Sequence, residues 1–512
     1  MEDVINTLDK RKEKIIKWIK NPYNFALVAI LAFAIIIRIY YFNLTQGQVI
    51  WWDEAEYMNM ARAWAFGLDY QFFSVRPILF SLITAGFFKI SYGEFLPRMF
   101  IFLISIASIA GVYYLGKEIY DKKIGLLCAF FASFFYLHLF HTYRLLVDLP
   151  SFAFFTFAAF FFYKYFKDNK KTKSLYLGAA IIAIGTLFRI TTATFLFAVF
   201  LYVLITEKLN FLKKKEIWIA ALIFVLILSP YIIWGYIQFN GFVITLAGAW
   251  NAPQGEYLSN FIWNFKSNMS LFPSMFSWTL LIFFILGLFS MYGLILGFDV
   301  LIKGEDIQLK RNLFLFLIFL IPIITISFSM NHYFEDRYII NSLPAIFIIS
   351  SAFIMKSYNF IKKKNKIIAI FFLILLLVII AYSQISHADS LIKNKKDSYL
   401  QVKQAGLWLK QNSEASDIII VGSWPQIMYY SERKTLFIPS GKEELISLIS
   451  SDPNIKFYMV SVFERHENWM YSFPQENNFT IAQAYFADAS RTQPILIIYE
   501  IQNETFNNNT SI

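Results

Sequence analysis

The sequence predicts a polytopic α-helical membrane protein, with about eleven to thirteen spans and a small extracytoplasmic α/β domain at its C-terminal end. Three observations predict this. Of 512 residues, 57% are hydrophobic and only 16% charged. Apolar runs long enough to cross roughly 30 Å of hydrocarbon, about 20 residues each, recur from Phe25 to about Ser386. After His387 these runs give way to short strand-like and helix-like segments in alternation.

By run length the apolar segments are 24–42, 77–92, 97–115, 123–141, 149–166, 175–189, 191–206, 216–238, 276–302, 313–330, 338–356 and 367–386. The polar, basic stretch 1–23 precedes them and carries no signal-peptide pattern. The formal charge of +11 is dispersed in short clusters between apolar runs. Lys10-Arg11-Lys12, Lys170-Lys171, Lys213-Lys214-Lys215 and Lys362-Lys363-Lys364 are the main ones. Such clusters mark cytoplasmic loops and argue against nucleic acid as a partner. The N-terminus is then cytoplasmic, and the loops 43–76, 239–275 and 331–337 lie outside. An odd number of crossings delivers 387–502 to the same outer side. The single cysteine, Cys128, excludes an intramolecular disulfide.

In the C-terminal region, 399–411 has helical apolar spacing. Segments 417–421, 456–462 and 495–501 read as strands, and 443–449 reads as a helix. Alternation of this kind indicates a small α/β domain, here without a glycine-rich phosphate loop. The Asn- and Thr-rich end, 503–512, reads as disordered.

Chemistry concentrates at the outer boundaries of the spans. Trp51-Trp52-Asp53-Glu54-Ala55-Glu56-Tyr57 follows the first span. Tryptophan favours the headgroup layer, and carboxylates are costly to bury. Asp53 and Glu54 can therefore serve as a general base, or can cap the helix that Ala55–Ala65 forms, and both roles can hold at once. Arg76-Pro77 opens the second span, where a cation binds a lipid phosphate or snorkels to the interface. Arg144 and Asp148 stand four apart before Pro150, as a helical ion pair or as a second catalytic carboxylate. Arg189 interrupts an apolar stretch, a position that marks a functional path or an interfacial turn. His332-Tyr333-Phe334-Glu335-Asp336-Arg337-Tyr338 is the densest late polar cluster. Arg337 offers multidentate phosphate recognition, while His332, Glu335 and Asp336 could instead hold a divalent metal. No other cofactor is implied.

In this order, these residues resemble the GT-C membrane glycosyltransferases, the superfamily of the protein O-mannosyltransferases and lipid A aminoarabinose transferases, over about residues 20–360. Asp53-Glu54-Ala55-Glu56-Tyr57 resembles the Asp-Glu-Ala-x-Tyr motif of the first external loop. Arg76-Pro77, Val147-Asp148-Leu149-Pro150, Gly185–Arg189 and Arg337-Tyr338…Pro344 are similar to later family elements, with arginine at 189 where lysine is common. The resemblance implies a polyprenyl-phosphate-linked sugar as donor and inverting transfer on the external face to a glycan, lipid or protein acceptor. It further implies Asp53 as catalytic base, Glu54 shaping the site, Asp148 as a second acid, and Arg76, Arg189 and Arg337 on the donor phosphate. Tyr57, His332 and Tyr338 are accessory site candidates. A transporter or flippase of lipid-linked saccharides and a membrane scaffold are the competing classes. A flippase would favour midplane charges and symmetric repeats, and a scaffold leaves Asp53-Glu54 unexplained.

Overall fold

The computed structural model describes residues 17–70, 72, 76–168, 171–240, 257–297, 306–329, 335–487 and 492–502. His332 and the tail 503–512 lie outside them. In order, the helices are α1 (Pro22–Thr45), α2 (Trp52–Phe66), α3 (Leu79–Ile90), α4 (Phe95–Ile119), α5 (Lys122–Phe134), α6 (Tyr136–His141) and α7 (Asp148–Lys167). Next come α8 (Thr172–Phe188), α9 (Thr194–Glu207), α10 (Lys215–Phe239), α11 (Tyr257–Ser270), α12 (Phe272–Met275), α13 (Trp278–Phe289) and α14 (Gly293–Leu296). The series closes with α15 (Ile307–Ser329), α16 (Leu343–Lys364), α17 (Lys366–Lys395), α18 (Leu400–Asn412), α19 (Trp424–Ser431), α20 (Lys442–Ser451) and α21 (Asn468–Glu476).

Among the described residues, eight helical stretches are long and apolar enough to cross a membrane, and three shorter apolar helices (α3, α8 and α13) accompany them. The protein is an integral membrane protein. The apolar run 123–141 does not form one helix: it breaks at Phe135, which is extended at φ −61° and ψ 125°. The break has a specific cause. The Tyr136 amide donates to the Gln384 side chain at 3.1 Å instead of continuing the helical ladder, and Gln384 in turn donates to the Met275 carbonyl at 3.2 Å. An inserted side-chain acceptor is one of the few ways to kink a helix without proline.

Contacts divide the chain into two compact units. The first comprises Met1–Leu44, Phe72–Phe80 and Glu94–Lys393, and holds most of the long apolar helices. The second gathers Thr45–Gln71, Ser81–Gly93 and Asn394–Ile512, so the acidic motif belongs with the C-terminal region. Its centre is a five-stranded sheet in the order β2-β1-β3-β5-β4. The strands are β1 (Ile418–Val421), β2 (Lys434–Leu436), β3 (Ile455–Ser461), β4 (Thr480–Phe486) and β5 (Pro494–Glu500). Strands β2, β1 and β3 are parallel, whereas β5 and β4 are antiparallel additions.

The period-2 alternation of the strands sorts side chains onto two covered faces. Ile418, Ile420, Tyr458 and Val460 pack with Leu445 and Ile449 of α20 and Phe473 of α21. Ile419, Val421, Phe457 and Met459 pack with Val402, Ala405 and Leu409 of α18. Both faces being covered explains why β1 reads as an unbroken apolar run.

Helices α18 and α19 meet at Gly406, where an added Cβ would stand 2.5 Å from the Tyr430 Cβ. Gly406→Leu is therefore expected to destabilise the protein by about 1–3 kcal/mol through overpacking. Gly441→Ala, whose Cβ would meet nothing closer than 3.7 Å, should be near neutral. Thermal unfolding of the two variants in one detergent checks the contrast.

Candidate active site

In the second unit, the acidic motif starts helix α2. Glu54 is wholly buried, and its Oε2 accepts the backbone N–H of Trp51 at 2.6 Å, so it caps the helix. Trp52 Nε1 donates to Glu56 Oε1 at 2.9 Å. Asp53, between these engaged acids, is half-buried in the first turn. The paired tryptophans pack edge-on against protein rings: Trp51 on Tyr399 at 6.2 Å and Trp52 on Trp424 at 6.0 Å. Tyr57 is buried, and its carbonyl accepts the Ser81 hydroxyl at 3.0 Å.

One and two turns further along α2, Asn59 donates to Pro425 O at 2.8 Å and Arg62 to Met428 O at 3.1 Å. Arg62 thereby places a cation on the carbonyl end of α19, where the helix dipole favours it. Tyr430 OH receives the Ile50 N–H at 3.0 Å. These contacts fix the orientation of the acidic turn, and the sequence reading missed them. Arg62 and Asn59, polar residues on a helix otherwise rich in Ala and Met, were the available signal.

In the first unit, three chain segments converge: the start of α7 at Asp148, the 3₁₀ turn Ile190–Ala193 that follows Arg189, and the 3₁₀ turn Asp336–Ser342 ahead of α16. Asp148, 1% exposed, forms an ion pair with Arg189. The alternative pairing with Arg144 along a helix does not arise, because 142–147 is turn and bend and α7 begins only at Asp148. A buried hydroxyl–amide knot holds the same three segments together. Ser151 Oγ lies 2.7 Å from Thr192 Oγ1, and Asn341 Nδ2 donates to Ser151 Oγ at 3.0 Å. Each of the three residues sits within about one turn of Asp148, Arg189 or Arg337.

Tyr338 joins the two cations. Its ring centroid is 5.8 Å from Arg189 Cζ and 5.5 Å from Arg337 Cζ. Two guanidinium groups around one electron-rich face are well suited to a compact polyanion. Glu335 holds Arg337 through Nε at 2.6 Å. Asp336 accepts the Tyr136 hydroxyl at 2.6 Å, and His387 stacks on Tyr136 at 4.0 Å. Buried His141 shares the electrostatic environment of Asp148, Asp336, Arg337 and Arg144. Arg76 lies half-buried in the bend before Pro77, within the same unit. Glu335 and Asp336 are thus engaged by Arg337 and Tyr136, and no group of three His, Cys, Asp or Glu residues is disposed to hold a metal among the described residues.

Residues 75–234 match the model of a family described as dolichyl-phosphate-mannose-protein mannosyltransferase. No curated protein sequence matches the chain. Solved structures share the fold. ArnT from Cupriavidus metallidurans in the apo state is similar at TM-score 0.60 and 10% identity, covering 93% of this chain and 98% of that one. The same protein bound to undecaprenyl phosphate gives TM-score 0.58 at 10% identity, with 93% and 98% covered. The archaeal oligosaccharyltransferase AglB from Archaeoglobus fulgidus, in complex with an inhibitory peptide and a dolichol-phosphate, gives TM-score 0.57 at 12% identity, with 87% and 70% covered. The family match covers residues 75–234, and the solved structures show that the chain shares the fold of ArnT and AglB.

Arg189→Ala would leave Asp148 buried without its partner, at an expected cost of about 3–5 kcal/mol. Asp148→Asn combined with Arg189→Gln should recover most of that loss, since neither buried charge then remains. Melting temperatures of the single and double variants in detergent give the answer.

Proposed function

We propose that the protein moves a hexosyl or pentosyl group from a polyprenyl-phosphate carrier to an acceptor on the external face of the membrane, with inversion. The observation that carries this reading is the presence of two features in one chain, one in each unit. A half-buried carboxylate, Asp53, stands in the first turn of an anchored helix, and two arginines, Arg189 and Arg337, surround Tyr338. The undecaprenyl phosphate and dolichol-phosphate of the ArnT and AglB structures support a lipid phosphate as the donor's anchor.

In the proposed reaction an acceptor hydroxyl or amine attacks the anomeric carbon, and Asp53 takes its proton. The bond from that carbon to the phosphate oxygen breaks, and the polyprenyl phosphate leaves with the electron pair. Arg189 and Arg337, together with Arg76, stabilise the charge that develops on it. Asp148 is the second acid, acting through the orientation of Arg189. Glu54 shapes the site by fixing the turn that carries Asp53. The acceptor is a glycan, a lipid or a protein. The N-terminus is cytoplasmic and 387–502 extracytoplasmic, as the basic clusters imply.

Purified protein should transfer sugar from one member of a panel of polyprenyl-phosphate sugars, and Asp53→Asn should lower kcat about 10²–10⁴-fold at an unchanged melting temperature. Undiminished transfer by the folded variant removes Asp53 from the chemistry, and movement of the lipid without transfer indicates a flippase. Protease applied to sealed vesicles from each side reads the topology: cleavage within 387–502 from the cytoplasmic side overturns the orientation.

A further inference from the structure

The first unit holds an apolar cleft away from the Asp148–Arg189–Arg337 cluster. The C-terminal end of α7, the N-terminal half of α8, the body of α9 and the first half of α10 surround a cavity of about 290 Å³. Phe162, Phe166, Leu175, Val203, Phe211 and Phe224 are among the residues that line it. The lining is aliphatic and aromatic, and its one hydroxyl, on Tyr165, is already donated to Glu216 at 3.2 Å. Such a cavity offers nothing to a sugar or a peptide and much to a hydrocarbon chain.

The chain immediately around Phe211 is different in kind. The 3₁₀ turn Lys208–Lys213 and the first residues of α10 present Lys208, Lys213 and Lys215, all exposed and without an ion pair to any described residue. Lys214 is held by Glu207 at 2.7 Å. Leu209, Leu212 and Trp218 are exposed between these lysines, and Trp218 Nε1 donates to Leu212 O at 2.9 Å. Alternating lysines and large apolar groups, with an indole among them, form the pattern of a segment lying in the headgroup layer. An apolar cleft that opens beside uncompensated ammonium groups is complementary to a molecule with an acyl chain and an anionic head.

We propose that this cleft binds an anionic phospholipid, its acyl chain between α7, α8, α9 and α10 and its phosphate against Lys213 and Lys215. The site is separate from the Asp148–Arg189–Arg337 cluster, which lies at the opposite end of α7 and α8: Asp148 begins α7 and Arg189 follows the last residue of α8, whereas the cleft takes Phe162 near the end of α7 and Leu175 near the start of α8.

Delipidated full-length protein in detergent is titrated with phosphatidylglycerol, phosphatidylcholine or a polyprenyl phosphate, and binding is read by native mass spectrometry and by melting temperature. Phosphatidylglycerol should bind at one site and raise the melting temperature more than phosphatidylcholine does. Lys213→Gln with Lys215→Gln should weaken phosphatidylglycerol binding about tenfold or more and flatten its salt dependence. Ala221→Trp, which fills the open side of the cleft, should abolish one-site binding while the lipid-free melting temperature stays within a few degrees of wild type. Equal affinity for the two phospholipids, or undiminished binding by a folded Ala221→Trp protein, overturns the proposal. Preferential one-site binding of the polyprenyl phosphate that Ala221→Trp abolishes overturns it too, because the cleft then belongs to the donor.

Discussion

The Asp148–Arg189 pair is the constraint on which the first unit's polar centre depends. Arg189 follows one apolar helix and Asp148 begins another, and the enclosed carboxylate of Asp148 is costly to leave without its partner. Their attraction fixes the relative position of two helix ends, and the Ser151–Thr192–Asn341 knot adds the third segment by hydrogen bonds among neutral groups. Buried hydroxyls and amides of this kind are costly unless paired, so the knot has few alternative arrangements. Arg337 and Tyr338 are delivered to the same place because Asn341 lies one turn beyond them. The geometry around Tyr338 is thus set by residues that carry no charge.

The second unit achieves the same end by different means. A single helix turn bearing three acids would repel itself and fray unless the acids are engaged. Glu54 satisfies an amide that the helix leaves orphaned, and Glu56 accepts an indole N–H. Asn59 and Arg62 then tie the helix to α19, which rests on the parallel part of the sheet. A soluble-type α/β core, with both faces covered, is the rigid base for this turn, as the proposed chemistry requires.

Much of this was legible in the sequence, and what was not follows a pattern. Apolar run length marks the spans because the requirement is local, and the alternation of β3 and the apolar run of β1 are local as well. The break at Phe135 was invisible because its cause, Gln384, lies 248 residues away. The sequence offered Asp148 only Arg144, four residues away, as an ion-pair partner, whereas its partner Arg189 is forty-one residues away. Strand β4 was missed because it is a largely half-exposed strand, so Thr480–Phe486 carries little hydrophobic periodicity. Strand β2, three residues long, gives no pattern to detect. Motif residues were easy to single out, but their supporting partners, Ser151, Thr192, Asn341 and Arg62, are ordinary residue types whose role exists only in three dimensions.

The division of labour among the acids follows from exposure. A general base must gain a proton from the acceptor and lose it to solvent in each cycle, so it needs access. Asp148 is enclosed and bound to Arg189, and releasing it would strand a buried carboxylate. Glu54 is enclosed and committed to a backbone amide, as the charged acceptor that starts α2. Asp53 is the acid of the motif that remains partly open, on a turn the other two acids and the aromatic anchors hold still. In the proposed reaction the buried acids therefore position and the exposed one reacts, which assigns Asp148 to the arginine side of the chemistry and Asp53 to the acceptor side.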